Sequence, residues 1–388
     1  MNTHKAQKLM CAVAIGGLAG AAHAQSSVTL YGLIDAGISY VNHAENASGG
    51  SSSLVKFDDG INGGNRWGLK GAEDLGGGYK AVFTLENGFG LGDGTLSQGG
   101  ALFGRQAFVG ISKSGVGAFT MGRQYPFSHD YLNRYSTGGL TAGDAYEYHI
   151  DTLDLLTSVR INNSVKFDSV RLYGFKVGAM YGFSNAAGEF GGSNGDNGNG
   201  GFVARTYSFG VDYRNGPFSM AFAYTDITYP LQEVPPLKLT LANLDPLGER
   251  DLRTLGIGAK YQFGSVLGYA LWTNTRLENL DHSAATLNIY EGGVVYQVNA
   301  PLVAALGYTR TQVRGSATGT WNQINSSVEY SLSKRTSVYA LAIYQKASGT
   351  NDGVPVQAMI GKTTSYFGNS GSDAQNQLAF RIGMRHRF

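Results

Sequence analysis

Along most of this 388-residue chain, apolar and polar side chains alternate in short runs separated by glycine-rich turns. In the run that opens at Ser27, Val28, Leu30, Ile34, Ile38 and Tyr40 fall on one parity, and Tyr31, Asp35 and Ser39 on the other. A period of two predicts a strand with one apolar face. Trp67 and Leu69 alternate with Arg66 and Lys70 in the next run. Tyr79, Ala81, Phe83 and Leu85 then define the apolar side of 79–86. Ile161, Val165 and Phe167 read as outward in 160–167, with Arg160, Asn162, Ser164 and Lys166 on the other face. The last run is the most regular. Leu378, Phe380, Ile382, Met384, His386 and Phe388 share one parity, while Arg381, Arg385 and Arg387 stand on the other. Arginines do not fill a dry core, but a water-filled lumen accommodates them.

Counting such runs gives about sixteen strands. Short turns such as 73–78, 113–117, 215–217, 264–265 and 333–335 join them on one side, and loops over 42–53, 185–203, 230–250 and 346–375 on the other. The predicted fold class is all-β: a transmembrane antiparallel β-barrel of about sixteen strands, with short turns on one side and long loops on the other.

The stretch from Gln124 to Val159 breaks the alternation and accumulates acids: Asp130, Asp144, Glu147, Asp151 and Asp154. Arg105 and Arg123 precede it, and Arg160 and Lys166 follow. A connection this long without regular structure of its own is uncommon and usually functional. It is expected to fold into the lumen as a constriction loop, about 124–159.

Composition narrows the picture. Lys5 and Lys8, the apolar run Met10 to Ala22 and the Ala22-His23-Ala24 site mark residues 1–24 as a cleavable secretion signal. Residues 25–388 are then the barrel. Cys11 is the only cysteine and leaves with the signal, so no disulfide or thiol chemistry is expected. Without Lys5 and Lys8 the 30 Lys and Arg fall to the number of the 28 Asp and Glu, which gives no support to nucleic-acid binding. A mean hydropathy of -0.15 and no second long apolar run argue against a helical membrane protein. With 57 glycines among 388 residues a helical globular fold is disfavoured. The 23 Tyr and 19 Phe suit strands and interfacial girdles.

Several segments resemble the general Gram-negative porins of the neisserial and beta-proteobacterial type. They are Val28-Thr-Leu-Tyr-Gly-Leu-Ile-Asp35, Trp67-Gly-Leu-Lys-Gly-Ala-Glu-Asp-Leu-Gly-Gly-Gly78, Gly104-Arg-Gln-Ala-Phe-Val-Gly110, Met121-Gly-Arg-Gln124, Asn163-Ser-Val-Lys-Phe167 and the terminal Phe388. The resemblance implies a sixteen-stranded outer-membrane barrel, a homotrimer, a third extracellular loop inside the lumen, and passive diffusion of ions and small hydrophilic solutes. It also implies contact with outer-membrane lipid and lipopolysaccharide, and a C-terminal aromatic, here Phe388, read by the barrel-assembly machinery. Ion selectivity varies among relatives and is not implied.

The candidate functional residues follow from height and parity. Arg66, Lys70, Arg105, Arg123 and Arg160 are placed near mid-barrel, with Lys80 and Lys166 closer to the short-turn mouth. Asp35 joins them on the lumen parity of the first run. The basic residues are expected to form a ladder facing the loop acids; the alternative is that they are solvated and silent. Arg123 shares parity with Phe119 and Met121, so either a bulge precedes it or it anchors the loop base at a subunit interface. Asp130 and Asp154, nearest the wall, are expected to tether the loop. His43, His129, His149 and His282 fall in expected loops and His386 on an outward face. No Cys/His or carboxylate set has metal-ligand spacing, and no phosphate-cradling motif precedes a helix. No enzyme, metal or cofactor is expected. The alternative function is a structural or adhesive barrel with a plugged lumen.

Overall fold

The computed structural model describes residues 27–147, 151–157, 159–194, 202–230, 250–351, 353–361 and 367–388. The expected signal segment, Cys11 and His149 lie outside these. Sixteen wall strands follow one another in chain order. They are β1 (Ser27–Glu45), β2 in two pieces (Ser51–Asp59 and Arg66–Gly76), β3 (Tyr79–Gly88), β4 (Gln106–Lys113), β5 (Gly117–Gln124), β6 (Ile161–Ser169), β7 (Phe175–Gly182) and β8 (Arg205–Asn215). Then come β9 (Phe218–Thr228), β10 (Asp251–Phe263), β11 (Val266–Glu278), β12 (Ala284–Gln297), β13 (Leu302–Gly315), β14 (Gly319–Ser331), β15 (Thr336–Ser348) and β16 (Asn376–Arg387). Each pairs antiparallel with its sequence neighbours, and β16 pairs with both β15 and β1, which closes the barrel. Closure leaves no edge strand, the condition for strands to cross a bilayer. Among the described residues no helix is long and apolar enough to cross a membrane.

The period of two holds in most of these runs. Val28, Ile38, Val109, Phe209, Ile257 and Ile382 are exposed on the outer parity, and the other parity is largely covered. The β2–β3 hairpin turns at Gly77 and Gly78, both at positive φ (57° and 79°), backbone that suits a two-residue hairpin and that only glycine adopts freely.

Three features depart from the simple alternation. First, the expected 42–53 loop is shorter: β1 runs to Glu45 and β2 begins at Ser51, so His43 lies in a strand. Second, β2 breaks over 60–65. The Asp35 carboxylate accepts from the backbone N–H of Ile61 (2.8 Å) and Asn62 (3.2 Å), and Asn65 Oδ1 accepts from Asp35 N (2.7 Å). Buried backbone donors freed from a ladder need such acceptors. Third, one residue of β5, Arg123, opposes two of β6, Asn162 and Asn163, in a bulge where Asn163 takes φ +48°. Asparagine tolerates that conformation better than most residues. The extra residue reverses the parity ahead of it, so Ile161 is fully buried rather than outward.

Candidate functional site

Pro126, which lacks a backbone donor, starts the segment that leaves β5. Short helical turns at Ser128–Leu132, Asn133–Tyr135, Thr137–Leu140, Asp144–Tyr146 and Asp151–Asp154 replace the featureless loop the sequence suggested. Its apolar side chains face the covered parity of the wall. A side chain on Gly178 of β7 would collide with the Phe127 ring (2.1 Å), and one on Gly258 of β10 with Tyr135 (2.6 Å). The wall is glycine where the segment presses closest. Hydrogen bonds pin it along more than half the circumference: Phe127 N to Ser208 Oγ (3.0 Å), Thr137 N to Glu291 (2.6 Å), Ala142 N to Ser327 Oγ (3.3 Å) and Tyr146 Oη to Ser39 Oγ (2.8 Å).

Beside the segment opens a cavity of about 1530 Å³, lined by nine Arg and Lys side chains against five Asp and Glu. Tyr125 organises its basic side. The Tyr125 hydroxyl accepts from Arg105 Nη2 (3.1 Å) and from Arg160 Nη2, and the Arg160 guanidinium lies 4.5 Å from the ring centre. Arg105 Nε pairs with Glu86 (2.7 Å), which also accepts from Tyr31 Oη (2.9 Å). Arg66 lines the same cavity, and the Asp144 carboxylate of the segment acts electrostatically on both Arg66 and Arg105.

A second group ties the segment to the wall. Lys166 Nζ donates to Tyr125 O (2.8 Å) and pairs with the Asp130 carboxylate, which also meets His129 Nδ1 (2.8 Å); His129 stacks on Tyr125 at 3.6 Å. Burial would raise the Asp130 carboxyl, but Lys166 and His129 outweigh it and hold it below the ordinary aspartate range. Burial lowers His129 more than Asp130 raises it. Through this pair Asp130 joins the segment to the wall strand that carries Lys166.

The structure therefore brings Arg66, Arg105, Arg160, Lys166, Asp130 and Asp144 together and sets the others apart. Lys70 is exposed, with its ammonium 5.3 Å from the Tyr31 ring. Lys80 is exposed near the short-turn mouth, in register with Asp74 and Ser112. Arg123 keeps the outer parity of Phe119 and Met121. Its guanidinium holds Gly104 O (2.8 Å) and Asn162 Oδ1 (2.5 Å), so the bulge on the facing strand leaves it out of the ladder. Asp154 is buried and accepts from Leu156 N (3.3 Å). Asp151 sits in a helical turn, and its side chain is outside what is described.

Two acids correct the expectation of pore-facing charges. Glu147 is fully buried, and neither carboxylate oxygen has a hydrogen-bond partner among the described residues. Burial, with Asp144 and Glu291 nearby, pushes its carboxyl well above the ordinary glutamate range. Asp35 is also fully buried, held by Tyr339 Oη (2.8 Å) and Arg381 Nη2 (3.2 Å), where it closes the β2 break rather than facing the lumen. Phe388 continues the β16–β1 seam: its carbonyl accepts from Gly32 N (3.0 Å) and its N–H donates to Gly32 O (3.1 Å).

Sequence reasoning left out Tyr125, Glu86, Arg134, Lys176 and Arg385 as site residues. Strand parity held a signal for Glu86, on the side opposite Tyr79 and Leu85, and for Arg385, on the polar face of β16. Nothing periodic marks Tyr125 or Arg134.

Comparison with known proteins gives consistent results. A family model described as Gram-negative porin matches residues 11–350. The chain is 30% identical to an outer membrane porin protein of Bordetella pertussis, covering 87% of this chain and 94% of that protein. It is 27% identical to outer membrane porin protein 32 of Delftia acidovorans over 98% of this chain and 100% of that one. Among solved structures, the anion-selective porin from Comamonas acidovorans superposes with a TM-score of 0.72 at 23% identity, over 94% of this chain and all of that one.

Proposed function

The chain belongs to the Gram-negative porin family and is an outer-membrane channel for passive diffusion of small hydrophilic solutes; on that footing we propose that residues 124–159 form its constriction and that the passage favours anions. The carrying observation is the excess of basic over acidic side chains around the cavity, nine against five. Arg66, Arg105 and Arg160 gather on one side and Asp144 belongs to the segment opposite, so the field runs partly across the passage. At an effective dielectric of ~20, unit charges ~10 Å apart interact by about 1–2 kcal/mol. That is enough to orient a polar solute and to bias the ion population without stopping flow.

The test is a reversal potential under a KCl gradient on the purified protein in a planar bilayer. The wild type should pass chloride in preference to potassium. Arg66→Gln with Arg105→Gln should shift the reversal potential toward cation selectivity by leaving Glu86 and Asp144 uncompensated, and Asp144→Asn should shift it the other way. An unmoved potential in both variants would remove these charges from the conduction path. Absence of conductance in the wild type would favour a plugged, structural barrel instead.

Four further assignments belong to the same reading. Residues 1–24 are a cleaved secretion signal, supported by their charged, apolar and small-residue order. The protein is a homotrimer. Phe388 is the mark read by the assembly machinery, supported by its place at the closing seam. Lipopolysaccharide phosphates meet an outward basic row near the long-loop rim, supported by the outer parity of Arg276, Arg310, Arg314 and Lys346, with Arg310 and Lys346 one step beyond Tyr308 and Tyr344.

A further inference from the structure

The lumen-facing parity of β2–β5 carries an apolar spot that the channel reading does not use. Two rows cross these strands in register. One runs Thr29, Lys70, Thr84, Phe108, and the next Ser27, Ala72, Val82, Gly110, Thr120, Lys166. Val109 and Ile111, on the other parity, are more than half exposed to the outside, which fixes Phe108 and Gly110 on the inner side. These rows line a separate cavity of about 480 Å³ that adjoins the main one at Asp130 and Asp168. Gly110 gives its floor no side chain. Porin lumens are polar, so a partly exposed phenyl ring and a valine side by side are out of place unless something covers them.

One charge among the side chains lining this cavity has no opposite partner among the described residues. Among the described residues Lys70 meets no carboxylate, and its ammonium lies 5.3 Å from the Tyr31 ring. The other lysine at the cavity, Lys166, is neutralised by Asp130. The Cα atoms of Lys70 and Phe108 are two strands apart, roughly 10 Å, and a lysine side chain reaches over half of that.

We propose that this cavity is a solute subsite for small amphiphilic carboxylates, with the carboxylate on Lys70 and an aromatic or short apolar group on Phe108 and Val82. The proposal rests on the channel reading and names the solute class that the lumen retains beside the constriction. A cavity of this volume suits a small organic molecule. Binding there is weak by design of the site, because it opens onto the lumen and offers one charge and one ring face.

The test is block of KCl current through the purified protein in a planar bilayer by benzoate, acetate or benzamide, each added to both sides. Benzoate should reduce conductance saturably at a concentration about fivefold below that needed for acetate, the order expected for desolvating part of one ring. Benzamide, which lacks the charge, should have no effect. The benzoate-to-acetate ratio should fall to about one in Phe108→Ser and persist in Phe108→Leu, and Lys70→Gln should abolish the benzoate effect. Equal block by benzoate and acetate in the wild type, or an unchanged ratio in Phe108→Ser, overturns the subsite while leaving the channel intact. Absence of KCl current altogether overturns the channel reading and the subsite with it.

Discussion

Tyr125 shows how much one side chain at the root of a segment can organise. Its hydroxyl gathers two arginines, its carbonyl accepts from Lys166, and its ring stacks on His129. Phosphate- or carboxylate-bearing solutes would meet guanidinium groups already oriented, which is what a planar, multi-donor side chain does best. Glu147 is the contrasting case: a buried carboxyl with no side-chain partner among the described residues and two acids nearby. Its proton is held more tightly in the folded state than in the unfolded one. As pH rises above the ordinary glutamate value of 4.5, the folded state therefore loses stability relative to a chain with an amide there. Glu147→Gln should unfold like the wild type near pH 4 (about the reference value) and become more stable as pH increases toward neutrality and beyond. The gain should grow by about 1.4 kcal/mol for each pH unit until the buried carboxyl itself ionises. Thermal unfolding in detergent across pH checks this; a pH-independent difference would show that Glu147 does not titrate in the buried state. Such depth was not legible in the sequence. A Glu in a polar, aperiodic stretch carries no pattern that tells a lumen charge from a buried one, whereas Asp130 lies few enough residues from the wall to bring Lys166 within reach.

At the scale of elements, alternation made the strands and their outward faces readable, and it failed at the two places where one strand stops matching its neighbour. A bulge adds one residue without changing hydropathy, so alternation puts Ile161 outward where it is buried, while Arg123 keeps its outward parity and Ser164 and Lys166, beyond the bulge, keep their inward one. The β2 break leaves no mark because Gly60-Ile-Asn-Gly-Gly-Asn65 reads as an ordinary turn, and its partner Asp35 reads as a lumen charge for the same reason. The seam between β16 and β1 is where the element scale becomes functional. Phe388 makes the last pair of backbone hydrogen bonds to Gly32, and a side chain at Gly32 would strike its ring at 2.3 Å. Deleting Phe388 removes that pair and the ring together. Outer-membrane yield at ordinary expression should drop severalfold, and Phe388→Trp should restore much of it because an aromatic end is retained. Quantifying folded barrel in outer-membrane fractions is the measurement. A deletion that inserts as well as the wild type would leave the terminal aromatic with a packing role alone.

For the whole molecule, the outer surface divides into two arcs of different chemistry. Around β8 to β13 the exposed outer positions are rich in aromatics, among them Phe209, Phe222, Tyr261, Tyr290 and Tyr308. Such side chains suit the boundary of a bilayer, with an apolar body and, in Tyr, a polar tip. Around the seam the outer positions are largely aliphatic: Val28, Leu30, Ile38, Val55 and Ile382 are all more than half exposed. Phe57, Ile38 and Ile382 lie in one cross-strand row, with Tyr40 stacked on Phe380 one step along. A surface of stiff, closely spaced apolar side chains fits another copy of itself better than mobile acyl chains, because packing complementarity, not hydrophobicity, drives association in a membrane. The oligomer contact is therefore expected on the β16–β1–β2 arc. Wild-type protein should migrate as an SDS-resistant trimer and separate into monomers only on boiling. Ile38→Glu combined with Ile382→Glu, refolded in detergent so that membrane insertion is not at issue, should migrate as a monomer unboiled and keep its β-type circular dichroism. Val211→Glu, on the aromatic arc, should leave the trimer in place. A trimer that survives the seam pair but dissociates with the Val211 change would put the contact on the opposite side of the barrel.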